Sequence, residues 1–457
     1  MQALILNGPI VRTMLRLAWP TIVVLVMQTV VGVAEIYFVS FLGTAALAGV
    51  TLVFPALMLM TMVANGGIGG GVSSAVGRAL GAGRRADADA LALHALVLAI
   101  VFGLLFTVGE FTGGRALYRV LGGSGSVLAA SLAYANVVFG GAVFAWTTGL
   151  LAAALRGSGN VLVPAAISAG GFFFLVPLSP SLIFGLGPMP RLGVAGAGTA
   201  VAIYFTLASA VLIVYMRSRR SPLRLSFDVR KLRWRLFAEI LGVGSLSAIG
   251  GTQANLTVAL VTGIVGLFGA GAIAGYGLAS RLDYLQIPLL FGLGTSVVTM
   301  VATNVGAGNL ARARAIAWCA AFIAFAFTES LGVFAAIFPR AWLGLFAHDP
   351  SVLAAGTAYL HAVAPFYGMV GAGLLLYFAG QGFGRVTGQV LAGTMRLLIA
   401  AGGGFVLVVR WHESMTSLFW LIAIAYCAFG VLSAAAFFLT EQRVDPASAE
   451  CRVVVES

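Results

Sequence analysis

Residues 17–49 read LAWPTIVVLVMQTVVGVAEIYFVSFLGTAALAG. Between Leu17 and Leu42 a single charged residue, Glu35, interrupts an otherwise apolar run. A helix that crosses a bilayer needs about 20 mostly apolar residues, and this run exceeds that. It is too long for a signal-peptide core and lacks a cleavage site, so it reads as an uncleaved first span. Eleven more such stretches follow, near 46–71, 91–111, 129–151, 161–186, 194–216, 239–266, 272–301, 315–338, 352–379, 388–410 and 417–439. Barrel strands run about ten residues with alternating polarity, and these stretches do neither. The expected fold is an all-α polytopic membrane protein with twelve transmembrane helices.

Composition points the same way. Hydrophobic residues make up 60% of the 457, charged residues 9%, and the mean hydropathy is +1.04. A soluble domain has about a quarter of its residues charged. The net charge of +12 sits in short gaps between apolar stretches, with no basic groove and interleaved aromatics, so no nucleic-acid partner is expected. Of the three cysteines, Cys319 and Cys427 fall inside apolar stretches and Cys451 in the tail, with no ligand-like spacing. Four scattered histidines, His94 and His361 among them, do not make a metal site. No metal and no cofactor are expected.

Orientation follows from the basic residues, which favour cytoplasmic loops. One side holds Arg12, Arg16, Arg78, Arg84, Arg85, Arg156, the cluster from Arg217 to Arg235 that includes Lys231, and Arg312, Arg314, Arg385, Arg443 and Arg452. The other side holds Arg115, Arg119, Arg191, Arg340 and Arg410. Both termini and the central loop are therefore expected in the cytoplasm, with the chain in the inner membrane. The central cluster reads as a solvated loop near anionic lipid.

The two halves resemble each other at a spacing of about 225 residues. Gly81-Ala82-Gly83 returns as Gly306-Ala307-Gly308, Ala48-Gly49 as Ala274-Gly275, Arg156-Gly157-Ser158-Gly159 as Gln381-Gly382-Phe383-Gly384, and Tyr134 as Tyr359. With six spans each, the halves share one orientation and are parallel repeats around a central cleft. The expected organisation is an amino-terminal lobe over 1–216, a basic cytoplasmic linker over 217–236, a carboxy-terminal lobe over 237–440 and a tail over 441–457. Two such half-bundles suit alternating access, although architecture alone does not fix function.

At these motifs the sequence resembles the multidrug and toxin extrusion (MATE) family over roughly residues 12–440. The resemblance rests on Leu17-Ala18-Trp19-Pro20, Glu35-Ile36-Tyr37-Phe38-Val39, Leu42-Gly43 and Ala46-Leu47-Ala48-Gly49 in the first spans. It continues in the two Gly-Ala-Gly loops, in Leu155 to Gly159 and Gln381 to Gly384, in Phe184 to Ala197, and in Arg281-Leu282-Asp283. The resemblance implies an exporter of small organic, often cationic, compounds in exchange for H⁺ or Na⁺; a monomer is expected. The family usually has Asp where this chain has Glu35, and the fifth stretch, 161–185, lacks the second acidic residue some members carry there. Fewer amino-terminal carboxylates weigh against Na⁺ coordination more than against H⁺ coupling.

A carboxylate at the bilayer centre costs about 2.5–3.5 kcal/mol on insertion scales, so each intramembrane charge is a functional candidate. Glu35 leads as the ion-coupling residue, although it lies a turn or two from the end of its span and could snorkel. Gln28, seven positions earlier, falls on nearly the same helix face, and Tyr37 follows closely. Asp283 is a second ion-coupling candidate. Arg281 precedes it by two positions, which puts the two on different faces, so each is expected to find a partner on another helix. Gln253, Asn255 and Gln286 could line a substrate cleft or simply bond between helices. Glu329 and Arg396 lie in later spans without an assigned role. The run Asn65-Gly66-Gly67-Ile68-Gly69-Gly70-Gly71 lacks the Lys-Ser/Thr of a phosphate loop and reads as close helix packing or a bend.

The function expected from this is export of organic, cationic or amphipathic compounds by H⁺ (or Na⁺) antiport through alternating access. One rival is a flippase for lipid-linked saccharides, which needs more basic residues than Arg281 and Arg396. Another is a membrane-embedded enzyme, for which no nucleophile, metal box or carboxylate pair is present. A channel is a third, and the sequence shows no repeated filter. The lipid bilayer is the one partner expected beyond the substrate.

Overall fold

The computed structural model describes residues 1–444; Cys451, Arg452 and the rest of the tail lie outside the described residues, as does the side chain of Arg443. Every long element among them is helical. Eleven helices are long and apolar enough to cross a membrane, and the pair Gly125–Gly140 and Ala142–Gly157, bent by 49°, passes the same test together. Read as one broken span, that pair brings the total to twelve. The first six are Ile10–Ser40, Thr44–Gly81, Arg85–Val120, the broken pair, Leu162–Phe184 and Val194–Arg217. The second six are Trp234–Gly266, Ala270–Gly306, Leu310–Ile337, Pro350–Phe383, Thr387–Arg410 and the helix beginning at Met415.

The chain divides into two compact units. Of the described residues, unit 1 holds Met1–Gln2 with Trp19–Gly244, and unit 2 holds Ala3–Ala18 with those from Ser245 onward. Within each, the same helix pairs pack. The second span lies on the fourth, the third on the fourth, the fifth on the sixth and the fourth on the sixth, and the corresponding pairs among spans seven to twelve do likewise. The turns repeat as well. Gly43 and Gly269 have φ of 100° and 102°, and Gly83 and Gly308 have φ of 72° and 76°. That left-handed backbone is open to glycine without steric cost, which explains why the loop glycines recur at a fixed spacing.

The repeated Ala-Gly motif has a packing reason. A Cβ on Gly49 would stand 2.7 Å from the Ala130 Cβ and 2.9 Å from the Ser131 nitrogen. On Gly275 it would stand 2.4 Å from the Val352 carbonyl oxygen. In each unit the missing side chain lets the second and fourth spans touch backbone to backbone. The glycine run of the second span packs closely, as expected of it, and its helix is locally widened. Met62–Ile68 forms a π-helical turn, and a Cβ on Gly71 would meet the Ile240 carbonyl at 2.3 Å.

The fourth span of each unit is interrupted near its middle. In unit 1 the break is at Gly141; in unit 2 it is a 3₁₀ turn over Ala364–Phe366 that contains Pro365. Beside each break a threonine of the third span bonds to the backbone of the fourth. Thr107 donates to the Phe139 carbonyl at 2.6 Å, and Thr328 donates to that of Tyr367 at 3.1 Å.

The basic stretch after Arg217 is not a free loop, because half of it packs against unit 1. Leu223 and Leu225 are buried. The Arg224 amide donates to Asp89 at 2.7 Å, and Arg85 donates to the Pro222 carbonyl at 2.7 Å. Asp87 pairs with Arg84 at 3.0 Å, Arg233 at 2.6 Å and Arg235 at 3.5 Å. His94, fully buried, is structural: Nδ1 bonds the Ala90 carbonyl at 2.8 Å, and Nε2 accepts the Arg233 amide at 2.9 Å. The two leucines sit among arginines, so hydropathy hides them. Their alternation with exposed residues puts one apolar edge inward.

Candidate functional site

Each unit holds a carboxylate and a tyrosine inside its spans. In unit 1, Glu35 sits five residues before the end of the first helix, which continues past Pro20 to Ser40. One oxygen, Oε1, is buried and has no hydrogen-bond partner among the described residues. The buried Tyr134 lies within electrostatic reach of it. Gln28 is exposed and makes no side-chain hydrogen bond among the described residues. Tyr37 is also exposed and packs on Phe41 with ring centroids 5.0 Å apart. The structure thus places Gln28 and Tyr37 on the same helix as Glu35 without bonding either to it.

In unit 2 the carboxylate is caged. Asp283 Oδ2 accepts hydroxyl hydrogen bonds from Tyr359 at 2.8 Å and from Tyr426 at 3.1 Å. The hydroxyls of Tyr276 and Tyr367 lie within electrostatic reach. The second oxygen, Oδ1, is buried without a partner. The partner expected for Asp283 on another helix is therefore phenolic rather than cationic. Tyrosine suits the task because its ring pays for burial while its hydroxyl can still donate. Tyr359 and Tyr276 meet edge to face, with centroids 5.3 Å apart, and each also packs on Phe419.

The other candidates divide. Gln253 donates to the Thr394 hydroxyl at 2.8 Å, an interhelical bond between the seventh and eleventh spans, and its Oε1 is buried without a partner. Asn255 donates to the Gly251 carbonyl of its own helix at 3.2 Å. Gln286 is buried and reaches the Leu282 carbonyl at 3.4 Å. Arg281 is exposed and forms no ion pair or hydrogen bond among the described residues, so the partner expected for it is absent. Glu329 accepts the Gly368 amide at 2.8 Å, which caps the helix that restarts after the 3₁₀ break. That is a structural role for a residue whose sequence context gave none.

One buried acid escaped the sequence reading. Glu110 is 7% exposed and accepts the Tyr118 hydroxyl at 2.8 Å, while its other oxygen has no partner. Hydropathy ended the third span near residue 111, which put Glu110 at the water's edge. The helix runs on to Val120. The spacing of Glu110 and Tyr118, eight residues or about two turns, was the available signal. Among the described residues no group of three or more His, Cys, Asp or Glu could hold a metal ion.

Comparison with known proteins follows the same division of the chain. The family model described as MatE matches residues 20–181 and again 253–409, once in each half. A FAD transporter of Shewanella oneidensis is 27% identical over 86% of this chain and 87% of its own length. A probable multidrug resistance protein NorM of Thermotoga maritima is 24% identical over 75% of this chain and 73% of its own. The multidrug export protein MepA of Staphylococcus aureus is 22% identical over 93% of each. A solved multidrug resistance MATE family transporter of the MOP superfamily, in an outward-facing conformation, superposes with a TM-score of 0.84 at 22% identity, covering 97% of this chain and 98% of that one. With two family matches that together span most of the sequence, the chain belongs to the MATE family of efflux transporters.

Proposed function

We propose that this transporter exports amphipathic organic compounds by antiport with H⁺, with Glu35 as the principal proton carrier and Asp283 as a second ion-coupling carboxylate. The observation that carries this reading is the Glu35 carboxylate, which is placed in a span with one buried oxygen unpartnered. A proton needs a single oxygen of that kind, whereas Na⁺ needs a shell of them, so H⁺ is the better fit. Deprotonated, Glu35 favours a cationic substrate; protonated, it gives that preference up. A bound proton shifts the balance between two conformations only by its different affinity for each. One charge crossing 100 mV supplies about 2.3 kcal/mol, enough for a roughly fiftyfold bias. We further propose that the chain is a monomer in the inner membrane and that both termini lie in the cytoplasm, the orientation following from the basic residues of its loops.

The test is proton-driven dye efflux from proteoliposomes. Glu35→Gln is expected to abolish efflux driven by a pH gradient while leaving the protein folded. Wild-type rates in that variant would overturn the assignment. A second reading has support of its own. The Shewanella relative is named a FAD transporter, and Arg281 and Arg396 stand without ion pairs among the described residues in unit 2. A substrate carrying a phosphate would use such groups. Efflux of flavin nucleotides in the same vesicles separates this reading from export of cations.

A further inference from the structure

Arg396 is a half-buried charge without an ion pair, among the described residues, within the spans of unit 2. Buried Ala392 and Ala400 flank it four residues to either side, so it occupies the inward face of its helix. Its Cζ sits 4.7 Å over the centroid of the Phe429 ring. Its Nε is buried with no hydrogen-bond partner, and no other bond to the guanidinium exists among the described residues. Tyr426, one turn before Phe429 on the last span, lies within electrostatic reach of both Arg396 and Asp283. Yet Tyr426 donates its hydroxyl to Asp283, and the two charges stand beyond the 4.0 Å of an ion pair. The acid is committed to tyrosine hydroxyls, and the base is left without a counter-ion.

A guanidinium keeps its charge under all ordinary conditions, so a proton cannot relieve it as it can a carboxylate. Its face is occupied by Phe429, and among the described residues no acceptor meets its N–H edge. That edge is a planar fork matched to two oxygens of one carboxylate or phosphate. We propose that Arg396 is the binding group for an anionic oxygen group, carboxylate or phosphate, on a transported molecule, with Phe429 holding the fork in plane. The proposal rests on the reading of the chain as an exporter of organic solutes. A lipid headgroup is a poor source for the anion. Arg396 is nine residues inside the 24-residue helix Thr387–Arg410, or about 13 Å from its nearer end.

The test uses the full chain in phosphatidylcholine nanodiscs and two flavins that differ by one phosphate, FMN and riboflavin. Binding is read from flavin fluorescence without any ion gradient. The wild type is expected to bind FMN about 10- to 100-fold more tightly than riboflavin. Arg396→Gln should remove that preference and leave riboflavin unchanged. Arg396→Lys, which keeps the charge but not the fork, should retain part of it, and thermal unfolding of each variant checks that the fold survives. Any of these results overturns the proposal: equal binding of the two flavins or none of FMN; Arg396→Gln weakening both alike; loss of the preference in Arg281→Gln instead; and displacement of FMN by phosphatidylglycerol in the disc. Failure of the export reading is distinguishable, because it would leave the FMN preference intact and remove efflux alone.

Discussion

Tyr134 and Tyr359 occupy the same place in the two units, on the fourth span and about 225 residues apart, and each lies beside a carboxylate. The carboxylates do not correspond. Unit 1 supplies Glu35 from its first span, whereas unit 2 supplies Asp283 from its second. Glu35 keeps a buried oxygen unpartnered with no tyrosine bonded to it, while Asp283 is held by two hydroxyls. At the 226-residue spacing of the neighbouring Gly43 and Gly269, Glu35 falls on Val261, a buried apolar residue. The backbone devices, by contrast, match closely: turn glycines, Ala-Gly contacts and the threonine at the broken span. Duplication preserved what packs the helices and left each unit free to place its charge. One unit carries an open acid; the other carries a caged acid and an open base, Arg396.

If packing is the shared part, then damage to it should cost both units alike, and this is the largest effect expected. Gly275→Ala drives a Cβ to 2.4 Å from a backbone oxygen, and Gly49→Ala drives one to 2.7 Å from the Ala130 Cβ. Neither neighbour is the free end of a flexible side chain, so whole helices must part. Each change is expected to destabilise by about 3 kcal/mol, the upper end for overpacking, read as a lowered thermal unfolding midpoint in detergent. A large loss at Gly275 with none at Gly49 would break the equivalence of the two units.

The chemistry should be unequal where the packing is equal. Tyr359→Phe removes a 2.8 Å hydrogen bond to Asp283. Bonds to charged groups contribute about 1.5–3 kcal/mol. Tyr134→Phe removes no hydrogen bond, since the Tyr134 hydroxyl makes none among the described residues. A double-mutant cycle of Tyr359→Phe with Asp283→Asn is expected to show coupling of about 1 kcal/mol or more. The cycle of Tyr134→Phe with Glu35→Gln should show less. Equal coupling in both cycles would mean that the two carboxylates are held alike and that the open acid of unit 1 is not open in solution.

What could be read beforehand divides along the same line. Spans, repeat and loop glycines were legible because each leaves a pattern in one segment: a run of about 20 apolar residues, or a motif that returns at a fixed spacing. Glu35 and Asp283 were legible as charges out of place. The cage around Asp283 was not, because Tyr359 and Tyr426 reach it from the tenth and twelfth spans, and no local pattern links residues so far apart. Glu110 was lost to a boundary, since hydropathy cannot tell a helix that ends from one that continues with a buried acid. Leu223 and Leu225 were lost to averaging within a stretch dominated by arginine. Glu329 was visible but unexplained, because its task is to satisfy a backbone amide freed by a break on another helix.

The smallest difference lies where the fourth span of each unit begins. Ser124 and Asp349 are equivalent by spacing, and each stands just before its helix. Ser124 makes no side-chain capping bond. Asp349 accepts the Ser351 hydroxyl at 2.5 Å, the Ser351 amide at 2.8 Å and the Val352 amide at 3.3 Å. These bonds, the Ser351 hydroxyl first, hold the Asp349 carboxyl below the ordinary aspartate value, as expected when donors favour the charged form. An acid whose folded value is depressed stabilises the fold at any pH above its ordinary value, about 3.9. That contribution falls away as pH drops below 3.9 and through the folded value. The difference in thermal midpoint between wild type and Asp349→Ala should therefore be constant near neutrality and shrink on acidification below about pH 4. Ser124→Ala should show no such dependence, having neither a charge nor a cap to lose. Ser124→Asp should acquire it, if the extended backbone at that position (φ −141°) allows the same cap to form. A flat profile for Asp349→Ala would show that solvent already satisfies those amides and that the two helix starts, unlike the two carboxylates, are energetically the same.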